Sequence, residues 1–265
     1  MAVKPRLWTR GFILDTLVNF LIYIIYYMLV VIIASEAIHS LHATVSEAGL
    51  AAGIFVLGTL AARLVAGRSV EIYGRKRMLY AGILFYLVTT CMYFAANTLP
   101  VMYAVRFLNG VGYGIASTAT STIVSAMIPA ERRGEGINYY ALSMSLAAAI
   151  GPFIGMIMQQ FLSFNMIILF SVVMVLACLA AAFIMKVDEM KITEERRAEL
   201  KEINLSSFLE PKVMGISIVG FFVALCYSSV LSFLATYAAE LHLMTAGTLF
   251  FVVYALSVTL SLIHI

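Results

Sequence analysis

About eight apolar runs, each near the length of a bilayer-spanning helix, limit this chain more than any other feature. They occupy approximately 11–34, 47–67, 78–96, 101–126, 138–160, 164–186, 212–237 and 245–265. A spanning helix needs roughly 17–25 mostly apolar residues to cross a hydrocarbon core about 30 Å thick. Composition excludes the soluble alternative. Of the 265 residues, 63% are hydrophobic and 12% charged, against about 45–50% and about 25% in soluble domains. The expected fold class is an all-α polytopic membrane protein. The first run is too long for a signal-peptide core, and no small-x-small cleavage site precedes a polar start.

The connections between runs alternate in charge. Lys4, Arg6 and Arg10 precede the first run, and Arg68, Arg75, Lys76 and Arg77 follow the second. Arg132 and Arg133 follow the fourth, and Lys186, Lys191, Arg196, Arg197, Lys201 and Lys212 follow the sixth. The connections near 35–46, 97–100, 160–164 and 238–244 contain no Lys or Arg. Basic residues concentrate on the cytoplasmic side of membrane proteins. The pattern therefore predicts a multi-pass protein of a bacterial cytoplasmic membrane with its N-terminus in the cytoplasm.

The net charge of +3 is too small to argue for nucleic acid, and no basic run is interleaved with aromatics. Cys91, Cys178 and Cys226 each lie inside an apolar run, as packing residues do, and not in a disulfide or zinc pattern. Glu36, His39 and His42 have metal-like spacing but no further cluster to complete a site, so they read as a solvated loop.

The texture changes between Lys186 and Lys212, where oppositely charged residues recur at helical spacing. The expected organisation is a six-helix bundle over 1–187, a charged cytoplasmic linker over 188–211 and the start of a second bundle over 212–265. That is the plan of a twelve-helix carrier built from two halves, so the chain is expected to stop within or just after its eighth helix. The ending Leu260-Ser261-Leu262-Ile263-His264-Ile265 also matches the translation of a transposon-end sequencing adapter, and the native frame is expected to diverge after Thr259.

Three segments carry motifs. Gly67-Arg68-Ser69-Val70-Glu71-Ile72-Tyr73-Gly74-Arg75-Lys76-Arg77 lies between the second and third runs. Gly67 is expected to admit a close neighbouring helix and Gly74 to permit a turn. Glu71, Arg75 and Lys76 are expected to supply the charges of a latch between bundles, the alternative being a plain basic loop on the cytoplasmic side. The fourth run contains Arg106-Phe107-Leu108-Asn109-Gly110-Val111-Gly112-Tyr113-Gly114. An intramembrane arginine costs several kcal/mol unless it faces a wet cavity or finds partners. Arg106, Asn109 or Gly110, Tyr113, Ser117 and Thr120 share one helical face. That face either lines a central cavity or holds an arginine satisfied by carbonyls; the cavity is the expectation. The fifth run contains Ala147-Ala148-Ala149-Ile150-Gly151-Pro152-Phe153-Ile154-Gly155. Pro152 kinks a helix, and Gly151 and Gly155 allow close packing.

These segments resemble signatures of the major facilitator superfamily: its loop signature with Glu71 for the usual Asp, its Arg-x-x-x-Gly signature, and its antiporter signature Gly-x-x-x-Gly-Pro-x-x-Gly with Ala147 for the first glycine. The resemblance is to the drug/proton antiporter-like efflux branch. It implies a major facilitator fold, here a six-helix N-terminal bundle plus the first two helices of the C-terminal one. It also implies a monomer when full length.

Asp15, Asn19, Tyr23 and Tyr26 form a polar stripe on the first run. Two roles fit Asp15. A carboxylate in a low-dielectric cavity can carry protons, and an acid about 6 Å from the membrane edge can serve the helix terminus. About 15 Å of depth separates Asp15 from Arg106 in a core about 30 Å thick, so Arg106 is expected to meet Glu36, Asn109, a tyrosine, water or a later segment. Tyr227, Ser228, Ser229, Ser232 and Thr236 form a polar face on the seventh run. Nothing resembles an ATP-binding loop, a nucleophile elbow or a dinucleotide turn. The expected function is therefore non-enzymatic: proton-coupled secondary transport across the lipid bilayer, exporting amphipathic small molecules by alternating access. It uses a proton gradient and no cofactor or metal, with Asp15, Asn19, Arg106 and Tyr113 as transport or coupling residues. Import of a sugar or other metabolite by proton symport is the alternative, and a non-transporting sensor on the same fold is the alternative of another class.

Overall fold

Eight long helices follow one another without a strand among the residues described by the computed structural model, which are 5–187, 189 and 211–264. They are α1 (Arg10–Leu41), α2 (Val45–Tyr73), α3 (Arg75–Cys91), α4 (Leu99–Met127), α5 (Arg133–Phe161), α6 (Phe164–Ile184), α7 (Met214–Glu240) and α8 (Met244–His264). The expected linker falls outside the described residues except for Glu189 and Pro211.

Local chemistry sets the ends. Thr9 Oγ1 accepts from Phe12 N at 3.2 Å to open α1, and Thr44 and Glu47 cap each other at the start of α2. Gly74 ends α2 and begins α3 at φ 96°, a conformation that favours glycine. Pro100 sits in the first turn of α4, where a missing N–H costs nothing. The helix α5 runs on through Pro152. α1 continues beyond the expected residue 34 to Leu41. Its polar residues Ser35, Glu36 and His39 looked like a loop, but the backbone stays helical and Ser35 is buried against Gln159 of α5.

Among the described residues, six helices are long and apolar enough to cross a membrane: α1, α2, α3 with the 3-10 turn Met92–Ala95, α5 with the turn before it, α6 and α7. α4 is long enough at 29 residues but less apolar, because it carries Arg106, Asn109 and a Ser/Thr-rich inner half. α1 forms the centre, with 72% of its most apolar stretch buried against 11% for α7. It touches α2, α4, α5, α6 and α7, while α8 packs on α5.

The largest interface joins α2 to α4, and glycine makes it possible. A Cβ on Gly58 would lie 2.0 Å from Phe107 O, and one on Gly110 would lie 2.0 Å from Phe55 O. The two backbones touch. Gly151 and Gly155 pack against α1 in the same manner, facing Ile24, Tyr27 and Met28. Gly67 does not behave as expected: a Cβ there would meet nothing within 4 Å. Among the described residues no helix approaches this point of α2, so the close-contact role read for Gly67 does not operate in this conformation.

Candidate transport site

Two buried polar clusters lie inside the six helices, separated by an aromatic layer. The inner cluster joins α1, α4 and α5. Asp15 is fully buried in the second turn of α1. Neither of its carboxylate oxygens has a hydrogen-bond partner among the described residues. One turn further on, Asn19 Oδ1 accepts from Thr120 Oγ1 at 3.3 Å, and Asn19 Nδ2 donates to Ser143 Oγ at 3.4 Å. Tyr140 Oη donates to Thr120 Oγ1 at 3.1 Å, and Ser143 Oγ donates to Tyr140 O at 2.7 Å. The expected partners Asp15 and Asn19 therefore lie on one helix face. The contributions of Tyr140 and Ser143 were not anticipated, although their three-residue spacing on α5 places them on a common face with Ala147.

The aromatic layer follows. Tyr23 and Tyr26 of α1 meet Tyr113 of α4 at ring-centroid distances of 5.4 and 5.1 Å. Phe55 of α2 meets Tyr113 at 5.2 Å and stacks on Tyr26 at 4.9 Å. Tyr113 is thus enclosed by rings and is 3% exposed.

The outer cluster holds Arg106. Its Nε donates to Ala51 O and its Nη2 to Ala52 O, each at 3.2 Å, while Nη1 donates to Tyr93 Oη at 3.3 Å. The guanidinium also lies 4.6 Å from the Phe55 ring centroid. Tyr93 Oη reaches Asn109 Oδ1 at 3.4 Å, and Asn109 Nδ2 donates to Thr89 and Thr90 at 3.1 Å. Arg106 is fully buried, and no carboxylate pairs with it among the described residues.

The expectation that this face of α4 lines an open cavity is corrected here. Arg106, Asn109, Tyr113, Ser117 and Thr120 do share a face, and all are buried. The glycines let α2 and α3 close over the outer part of the face, so backbone carbonyls and the Thr89–Thr90 hydroxyls satisfy the polar groups in place of water. Of the partners expected for Arg106, a tyrosine is present and Asn109 joins through it.

The polar face of α7 also divides. Ser228, Ser229 and Ser232 border a cleft of about 510 Å³ against Gly49 and Gly53 of α2. Tyr227 instead stacks on Tyr254 of α8 with centroids 5.5 Å apart.

In the loop after α2, the carboxylate of Glu189 accepts from Arg75 N at 2.8 Å and Lys76 N at 2.9 Å, capping the start of α3. Lys76 Nζ donates to Met185 O at 2.8 Å. Glu71 and Arg75 also have partners. The contacts of this loop thus include the chain leaving α6.

Helical spans, the glycine–acid–Gly-Arg-Lys loop and a central helix flanked by buried polar groups are now joined by one further observation: residues 16–264 match the sequence profile of the Major Facilitator Superfamily. The chain belongs to that superfamily. An uncharacterized MFS-type transporter of Methanocaldococcus jannaschii is 32% identical over 127 residues, 48% of this chain and 33% of that protein. Multidrug resistance protein 2 of Bacillus subtilis is 24% identical over 186 residues, 69% of this chain and 46% of that protein. This superfamily member thus spans less than half the length of these curated relatives. Among solved structures, a D-xylose–proton symporter superposes with a TM-score of 0.69 at 13% identity, covering 96% of this chain and 68% of that one. At that identity the likeness is one of fold.

Proposed function

We propose that the protein to which this chain belongs is a proton-coupled exporter of amphipathic small molecules, working by alternating access. Transport of small molecules by a multi-pass membrane protein follows from the family. Proton coupling rests on one observation, the buried and unpartnered carboxylate of Asp15. An ionised carboxylate without donors is costly in a low-dielectric interior, so this buried position is suited to the protonated acid. A conformation that wets the inner cluster lets the proton leave. Asn19, Thr120, Tyr140 and Ser143 fix the three helices around that acid.

Export as the direction is supported by the Gly151–Pro152–x–x–Gly155 motif, seated against α1, and by relatives whose names include multidrug resistance proteins. Inside-out vesicles carrying the full-length transporter test the reading. A proton gradient with an acidic lumen is expected to drive uptake of a lipophilic dye as protons leave, and dissipating the gradient is expected to stop it. Gradient-independent flux sinks proton coupling, whereas proton-driven movement out of these vesicles reverses the direction.

A further inference from the structure

At the end of the bundle that carries the Gly67–Arg77 loop, a pocket of about 310 Å³ lies between the start of α1, the end of α4, the start of α3 and the chain leaving α6. Water takes about 30 Å³ per molecule in the liquid, so the pocket has room for several. Gly11 of α1 and Ile123, Ala126 and Met127 of α4 line it, together with Arg75 and Lys186. Among the described residues the wall contains no acid. The carboxylate of Glu189 is committed to the backbone N–H groups that open α3.

Both helical walls lead to the inner cluster. Asp15 follows Gly11 on the same face of α1, about 6 Å further along the axis. Thr120, which donates to Asn19 Oδ1, precedes Ile123 by about 4.5 Å along α4. Met127 closes over Gly11: a Cβ at position 11 would lie 3.1 Å from its Sδ and from its Cε. A methionine side chain is unbranched with three rotatable bonds, so its tip can swing away without a shift of backbone.

We propose that this pocket is the exit by which the proton of Asp15 reaches the cytoplasm, opened by movement of the Met127 side chain. The proposal rests on the proton-coupling reading of Asp15 and adds a route. The proton passes from the carboxyl to water in the pocket, leaving the carboxylate behind, and it travels within the six-helix bundle instead of between the two halves. In a proton-driven exporter the proton moves inward and is lost on the side where substrate is taken up. The basic loops assign this end of the bundle to that side. A positively charged mouth opposes the return of a proton and draws in the anionic buffer that carries it off. Apart from Arg75 and Lys186, the titratable groups around the acid are Tyr23 about two turns along α1, Tyr140 of α5, close enough to feel its charge, and Cys178 of α6, whose thiol is directed at Val18 O. From α4 the cluster receives the hydroxyl of Thr120.

Infrared spectroscopy of the full chain in lipid nanodiscs tests the route. The protonated Asp15 carboxyl is the band lost in Asp15→Asn, and its hydrogen–deuterium exchange reports access to water. Ala126→Cys puts a thiol in the pocket wall, and benzyl methanethiosulfonate plugs the pocket after folding. Wild type treated alike accounts for Cys91 and Cys226, the exposed native thiols. Exchange is expected to slow at least about tenfold on plugging and to recover when the disulfide is reduced. Met127→Ala is expected to speed it about threefold or more, because the flexible cover is gone. The same plug on Ser229→Cys, in the cleft between α2 and α7, leaves the rate unchanged. A plugged Ala126→Cys chain that exchanges like wild type overturns the exit, as does slowing produced only by the plug on Ser229→Cys. Absence of any carboxyl band assignable to Asp15, at every pH tried, overturns the proton reading itself and the exit with it.

Discussion

Asp15 and Arg106 are both buried charge-bearing side chains, but they are solvated in opposite ways. Arg106 directs three donors at three acceptors, whereas Asp15 has no partner among the described residues. A cation bonded through all three of its nitrogens is a structural tie, and an unsatisfied acid is suited to changing its protonation state. Arg106→Lys keeps the charge but lacks the planar fork. It is expected to lower stability by about 2 kcal/mol, read as an earlier thermal transition in detergent. Arg106→Ala is expected to abolish transport in the full-length protein while membrane insertion persists. Asp15→Asn is expected to reduce gradient-driven flux to background while substrate counterflow, which needs no net proton movement, continues. Equal loss of both activities in Asp15→Asn speaks for a packing role instead.

Helix pairing depends on where Cβ atoms are absent. Gly58 and Gly110 bring α2 and α4 into backbone contact, and Gly110→Val is expected to leave little folded protein, because its first side-chain atom would lie 2.0 Å from Phe55 O. Gly53→Ala, where a Cβ meets nothing within 4 Å, is expected to match wild type in yield and melting temperature. Gly67→Ala is expected to fold equally well, for the same reason. A transport defect in that variant would place the function of Gly67 in another conformation of the cycle. The element scale is also where sequence reading reached its limit. Helical periodicity assigned Arg106, Asn109, Tyr113, Ser117 and Thr120 to one face. It carried no information on whether water, lipid or another backbone covers that face. Gly58 and Gly82, on the helices that do the covering, were the available signal, because each stands opposite α4.

For the whole molecule, span positions and their order were legible because lipid imposes length and apolarity on each segment separately. Tertiary pairing was less so. The inner cluster needs Thr120, Tyr140 and Ser143, separated from Asn19 by more than 100 residues of chain, and spacing within one helix does not reach that far. The Gly67–Arg77 loop was recognisable as a motif, yet its observed carboxylate partner Glu189 lies 113–114 positions away. Glu189→Gln is expected to weaken this contact, read as faster amide hydrogen exchange at Arg75 and Lys76 with exchange in the middle of α1 unchanged. An unaltered exchange rate at both positions removes Glu189 as the cap.

That cap also changes the mechanics of the molecule. The tether between α6 and α7 does not begin at Ile184, where the helix ends, because residue 189 is pinned to the start of α3. Lys76 holds the carbonyl of Met185 as well, so the exit of the sixth helix is fastened at two points to the same glycine turn that joins the second helix to the third.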